Sequence, residues 1–373
     1  MKVKLGDLIE EYSERNIDNK YKPVAVGKYG IRARESIYSK ELAKDYSKNK
    51  LIYKGTLTIG MGSNQIDIGI LRDDKIYSVS PAYHTYNIKI SNYDYLDYLL
   101  TANNNRMFSI YANRGSRQGK TLDLKRWLTD ELRLHDEKDQ KIIVQTLNAV
   151  KQLISQKEAE LVKLDNLIKA RFVEMFNMES YPIKPLSEIA EYWNGLTYKP
   201  SDVSSDGTIV LRSSNIQDMQ LDLNDIVRVK CKINNKKMVK TNDILMCSRN
   251  GSAKLVGKVA LIPELEEMMS FGAFMMIIRS AYYPYLMTYF QLPVFRSQIS
   301  TGTTTINQIT RYMLDKVSLP VPDMAKIKGF KTFVTQVDKS KFVLSNELTM
   351  CDFYIRLIHD RVMHSCINLR VAQ

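Results

Sequence analysis

A chain of 373 residues has room for two ordinary domains with separate cores, and 44% apolar with 25% charged residues excludes a disordered chain. No apolar run reaches membrane-spanning length, and the opening "MKVKLGDLIEEY" is too acidic and polar for a signal peptide, so a cytoplasmic protein is expected. The net charge of +13 favours a polyanionic partner, nucleic acid before an anionic membrane, and both halves share it: 30 basic against 24 acidic residues in 1–180, and 24 against 17 in 181–373.

Along the chain, "NKLIYKGTLTIG" and "KIYSVSPAYHTYNIKI" alternate apolar and polar residues as half-buried strands do. "SNYDYLDYLLTANNNRMFSIYAN" (91–113) reads as a helix and leads into a polar glycine loop, "NRGSRQGKT". From 137 to 177, Ile143, Leu147, Val150, Ile154, Lys157, Leu161, Leu164, Ile168 and Met175 recur at alternating spacings of three and four, with one polar break. Such spacing marks a coiled-coil seam on a helix of roughly 40 residues. The second half repeats the order. "DGTIVLRSSNI", "VKTNDILMCSRNG" and "KVALIP" read as strands, and "YYPYLMTYFQLPVFRSQIS" (282–300) as a helix beyond its first proline. The loop "STGTTTINQ" follows, then a second seam of Phe330, Val334, Val337, Lys341, Leu344, Leu348, Cys351, Ile355 and Val362, each 187 residues after its counterpart.

Two further stretches match between the halves: "KLGDLIEEY" (4–12) with "PLSEIAEYW" (185–193), and "LKRWLTDELRL" (124–134) with "ITRYMLDKVSL" (309–319). Coincident registers at a near-constant offset point to one internal repeat rather than two unrelated amphipathic helices. Burying both seams against each other, antiparallel, predicts globular units at opposite ends of a rod related by a pseudo-twofold axis. Lys157 and Lys341 are expected to escape at its edge along their aliphatic stems.

The second half resembles the specificity subunits of type I restriction–modification systems. The carrying residues are "PLSEIAEYWNGLTY", "VKTNDILMCSRNGSAKLVGKVAL" and "STGTTTINQITRYMLDKVSLPVPD" leading into "FKTFVTQVDK". "NKLIYKGTLTIGMGSNQIDIGI" and "YSVSPAYHTYNI" resemble another version of the same target-recognition domain, so the likeness covers essentially the whole chain. The first exit, "ELRLHDEKDQK", lacks the proline turn of "SLPVPD", and "AKIKGF" stands where an acidic residue and glutamine are usual.

The resemblance implies an α+β fold: two mixed α/β target-recognition domains (1–133 and 181–322), a central long helix (134–180) and a C-terminal long helix (323–373) paired with it. It also implies a subunit without chemistry of its own. This subunit would read a bipartite, asymmetric double-stranded DNA target, one half-site per domain. It would recruit two methyltransferase (modification) subunits and a restriction/translocase subunit. S-adenosylmethionine is expected in the methyltransferase partners, and no cofactor or metal in this chain.

Arginine pairs with guanine, asparagine or glutamine with adenine, while lysine mostly holds phosphate. Candidate DNA contacts are therefore Arg32, Arg34, Asn64, Gln65, Arg114 and Arg117 in the first half. In the second they are Arg212, Ser214, Asn215, Arg249, Asn250, Ser252, Lys254, Thr303, Thr304 and Asn307. The two glycine loops differ, one offering arginines and the other threonines, so the target should be non-palindromic, with half-site centres roughly 10 base pairs apart.

The alternative is a stand-alone DNA-modifying or DNA-cleaving enzyme with a coiled-coil arm. It would need an Asn/Asp-Pro-Pro-Tyr/Phe tetrapeptide with a glycine-rich cofactor loop, or clustered acids holding Mg²⁺, and the sequence offers only "HDEKDQK" at a helix start. Cys231, Cys247, Cys351 and Cys366 have no metal-ligand spacing, and His359 and His364 lie five apart. A pure coiled-coil scaffold would leave two basic globular units unexplained.

Overall fold

A computed structural model describes residues 1–37, 45–113, 121–176, 180–299 and 308–364. The chain divides into two units, Met1–Glu158 with Asn346–Gln373, and Ala159–Ser345.

In the first unit, a four-stranded antiparallel sheet runs in the order Ile9–Tyr12, His84–Ile88, Thr56–Met61, Ile66–Ile70. Leu57, Ile59, Ile66 and Tyr86 turn into a core covered by the helix Tyr93–Tyr111, whose Tyr95, Leu96, Leu99 and Met107 are buried. Asn92 starts that helix by accepting the Tyr95 backbone N–H (3.0 Å). The second unit repeats the sheet as Glu191–Asn194, Met275–Arg279, Ile244–Cys247, Val259–Leu261. A further sheet there orders Val203–Ser204, Arg228–Val229, Thr208–Leu211 and Met269–Phe271, with the last pair parallel.

The stretches that match in sequence also match in structure. Lys2–Lys4 pairs with Glu131–Arg133, and Ile183–Pro185 pairs with Ser318–Pro320. Short helices at Leu5–Leu8 and Leu124–Leu128 have counterparts at Leu186–Ile189 and Arg311–Asp315. The segment 282–300 differs from expectation. It forms two helices, Tyr283–Tyr289 and Pro293–Ile299, because Pro293 cannot continue the first and suits the first turn of the second.

The long helices span Glu137–Met175 and Met324–His364. Their starts are alike despite the different sequences before them. Asp136 accepts the Asp139 N–H (2.8 Å) and Asp323 the Lys326 N–H (2.9 Å), each satisfying a donor that the first turn leaves open. In the first unit, Ile143 and Leu147 are buried in the core against which Ile355 and Ile358 also pack. In the second, Phe172 stacks on Tyr285, Phe176 meets both rings edge to face, and Phe330 meets Phe172 and Phe176 edge to face, with ring centroids 5.0–5.6 Å apart.

Within the second unit Asp165 meets Lys341 while Phe172 meets Phe330, so the paired stretches run in opposite directions. Of the two lysines, Lys341 does not escape outward as expected, whereas Lys157 stays at the edge with an exposed partner. Lys341 is buried and bonds Asp165 (2.7 Å), and Lys157 pairs with Glu347 (3.0 Å) in the first unit. Asp165 on the facing stretch makes inward pairing available to Lys341 without burying a lone charge.

A stability contrast should follow. Asp165→Ala strands the Lys341 ammonium in the seam and should cost about 1–2 kcal/mol, whereas Lys341→Met puts a fitting apolar chain there and should be near neutral. Urea unfolding of the two variants reads the difference, and equal costs would count against a buried role for Lys341.

Candidate nucleic-acid interface

In the second unit four turns, distant in sequence, meet at a cleft of ≈ 1100 Å³. The first follows Glu191–Asn194. Its Gly195 lies so close to the Phe271 and Gly272 carbonyls that a Cβ would collide with them, and Leu196 N–H bonds the Phe271 carbonyl (2.7 Å). The second is Arg212–Asn215, after Thr208–Leu211. The third carries Arg249, Asn250 and Gly251 beyond Ile244–Cys247, and the fourth, Gly272–Phe274, carries the chain from one sheet of the unit to the other.

The turns are tied to one another. Ser248 and Arg249 N–H both donate to the Phe274 carbonyl (2.9 and 3.0 Å), and the Asn250 amide donates to Ser213 Oγ (3.1 Å). Arg249 is exposed, with its guanidinium 5.4 Å from the centre of the Phe274 ring. Arg212 is held by Asp225 (2.9 Å) on the same cleft wall. This set offers planar donors, an amide and a ring, which suits base edges.

Of the residues singled out from sequence, Arg212, Ser214, Arg249 and Asn250 line this cleft together. Ser252 and Lys254 are exposed on the same loop but do not line it. Asn215 is a correction. It is wholly buried, its oxygen accepts the Arg212 N–H (2.8 Å), and its amide donates to the Asp222 and Asp225 carbonyls, leaving it no part in readout. Thr303, Thr304 and Asn307 lie outside the described residues. Beyond them, Gln308 forms a bridge with Arg249, and Ile309 N–H bonds the Ser248 carbonyl (2.7 Å), so the chain leaves that loop at the cleft.

The first unit brings its candidates together less. Arg32 lies on a hairpin, Val24–Gly27 with Gly30–Ala33, whose Gly30 takes φ +76° at the tip. Tyr29 there is 70% exposed, between the Lys28 ammonium (5.4 Å) and the Arg32 guanidinium (5.1 Å). Arg34 sits over the Tyr46 ring (5.8 Å). Asn64 and Gln65 form the turn closing Thr56–Met61 onto Ile66–Ile70, where Gly62 N–H bonds the Gln65 carbonyl (3.0 Å).

A cleft of ≈ 880 Å³ takes in Arg32 but not Asn64 or Gln65. On its wall Arg72 bonds Asp94 (2.8 Å) and Asp97 (2.6 Å), and burial lowers the pKa of Lys151, which sits 4.3 Å from the Tyr98 ring centre. Arg114 and Arg117 lie outside the described residues. No group of three or more His, Cys, Asp or Glu among the described residues is placed to hold a metal ion.

Sequence reasoning missed Tyr29 on the first-unit hairpin and Tyr198, Asp225 and Phe274, which line the second-unit cleft. "GKYG", a short turn between glycines with cations around one ring, is a signal that could have found Tyr29; Phe274 in "SFGAFMM" reads as one more core strand residue.

Two basic units with the same sheet order, each completed by stretches of two long helices, have the fold of type I restriction–modification subunits. A chain from structural work on complex assembly and conformational transition of the type I R-M system matches with a TM-score of 0.58 over 98% of both chains, at 14% identity. The type I system S subunit from M. genitalium matches with a TM-score of 0.53 over 98% of this chain and 96% of its own, at 12% identity.

In sequence, the chain is 28% identical over 177 residues to the type I restriction enzyme StySPI specificity subunit of Salmonella potsdam. That match covers 44% of this chain and spans 38% of the relative's length. The resemblance to specificity subunits thus holds in sequence and in fold. No family model matches the chain, and no helix of the described residues is long and apolar enough to cross a membrane.

Proposed function

We propose that the chain is the DNA-reading, non-catalytic specificity subunit of a type I restriction–modification complex. The observation that carries this is the second-unit cleft, where Arg212, Arg249, Asn250 and Phe274 converge on a chain of net charge +13. Each unit reads one half-site of a bipartite, asymmetric target, and the long helices pair as an antiparallel coiled coil with a pseudo-twofold internal repeat. Adenine methylation belongs to methyltransferase partners that bind S-adenosylmethionine, and cleavage to a restriction/translocase partner.

Exposed apolar side chains support recruitment along the second long helix. Phe342 and Val343 are 68% and 55% exposed there, and Met350 and Phe353 57% and 62%, a costly surface to leave in water. The basic charge holds phosphates, and the cleft supplies the groups that discriminate bases.

Selection of bound duplexes from a random pool, with the full chain and its methyltransferase partner, tests the reading. Arg249→Ala should weaken the selected target by roughly 10-fold or more and relax one position of the second half-site only. Arg212→Ala should weaken it less, since Asp225 already engages its guanidinium. If both variants keep full affinity and specificity, the second-unit cleft is not the reading site.

A further inference from the structure

We propose that Phe274 is a specificity-determining residue whose ring contacts the 5-methyl group of a thymine next to the guanine read by Arg249. The inference rests on the DNA-reading role proposed above and deepens it at one base step. Phe274 is apolar yet 60% exposed, and its backbone is held in place, because its carbonyl accepts two backbone N–H bonds from Ser248 and Arg249. An uncovered ring on a fixed backbone in a reading cleft calls for an apolar surface on the partner.

The first unit has no ring at this place. Leu71 N–H bonds the Thr56 carbonyl as Ile262 N–H bonds the Asp243 carbonyl, so Ile59 opposite His84 corresponds to Met246 opposite Met276, and Ala82 stands where the second unit has Phe274. The outward ring is thus a feature of the second unit alone.

The chemistry follows from the Arg249 pair. A guanidinium 5.4 Å from the ring centre has its planar donors steadied by the aromatic face. In the major groove such donors suit guanine O6 and N7, and the apolar feature a neighbouring base offers there is the thymine methyl. Ring and guanidinium, locked together through the backbone, would then read two adjacent bases as one unit.

The test uses the full-length chain with its methyltransferase partner and the duplex selected as above. Each thymine of the second half-site is replaced singly by uracil, which removes only the methyl group. One replacement, beside a guanine, should weaken wild-type binding about fourfold, the worth of one buried methyl group. Phe274→Ala should bind more weakly and no longer respond to that replacement. Its unchanged discrimination at the first half-site would show that the variant is folded.

A defined second half-site at which no uracil replacement changes binding overturns the inference while leaving the DNA-reading function intact. So does a Phe274→Ala variant as sensitive to uracil as the wild type. A pool that yields no preferred sequence overturns the DNA-reading function and this inference with it.

Discussion

Asp243→Ala should cost the second unit about 3 kcal/mol, the lower end of what breaking a buried ion pair costs, because Arg279 keeps some access to water. The Asp243 side chain is 1% exposed and that of Arg279 30%. The pair is bidentate, with Nε and Nη2 of Arg279 each 2.7 Å from a carboxylate oxygen, and hydrogen bonding to Asp243 raises the arginine pKa. The same carboxylate accepts the Lys240 N–H (2.7 Å), and Arg279 lies over the Trp193 ring at 4.9 Å.

Alanine there leaves a guanidinium over an indole without its counter-charge and an N–H without its acceptor, at the start of the central strand Ile244–Cys247. Asp243→Asn, which preserves shape and one acceptor, should cost less. Glu174→Ala, which breaks the exposed Arg171 pair, should change stability by no more than about 1 kcal/mol. Denaturant unfolding followed by tryptophan fluorescence compares the three, and a cost for Asp243→Ala as small as for Glu174→Ala would remove this pair from the account of the fold.

Exchanging residues 181–322 for the equivalent unit of a relative should replace one half of the recognised sequence and leave the other untouched. Each unit has its own sheet and core, so its reading groups are positioned by its own packing. The groups at matching places also differ. Where the second unit presents Arg249 and Asn250, register puts Gly62 and Ser63 in the first, followed by the Asn64–Gln65 turn. Two such surfaces cannot prefer the same bases, so the native target should be asymmetric. Sequencing adenine methylation in cells carrying the native and exchanged chains reads the result. A palindromic native motif, or loss of both halves on exchange, would defeat modular reading.

The long helices were legible because a three–four apolar spacing has one economical solution, and the repeat because its matched stretches close each unit in the same way. Of the apolar positions read from that spacing, Ile143 and Leu147 are buried in the core of the first unit and Phe330 in that of the second. The charges within the seam were not legible. Whether Lys341 leaves or stays depends on which residue of the other helix faces it, and that is set by register rather than by either sequence alone.

The cleft was legible residue by residue but not as a site, since its four turns lie between 195 and 274 and meet only through sheet order. Asn215 misled because "SSN" after a strand reads as a polar loop, whereas one hydrogen bond within its own turn and two to the Asp222 and Asp225 carbonyls hold it fully inside. Phe274 was invisible for the opposite reason: an apolar residue between strands reads as core, whereas its ring is 60% exposed.

The two units differ in how they are drawn from the chain. The second is continuous, Ala159–Ser345, whereas the first takes its last portion from beyond Asn346, where Ile355 and Ile358 pack on its core. During synthesis, therefore, the unit that emerges first is finished last. Roughly 10 to 40 seconds of translation separate its residue 158 from residue 346 at about 5–20 residues per second. For that interval the side of Ile143 and Leu147 awaiting the returning helix stands open, a place where a chaperone would bind the nascent chain and where a premature stop would leave the amino-terminal unit incomplete.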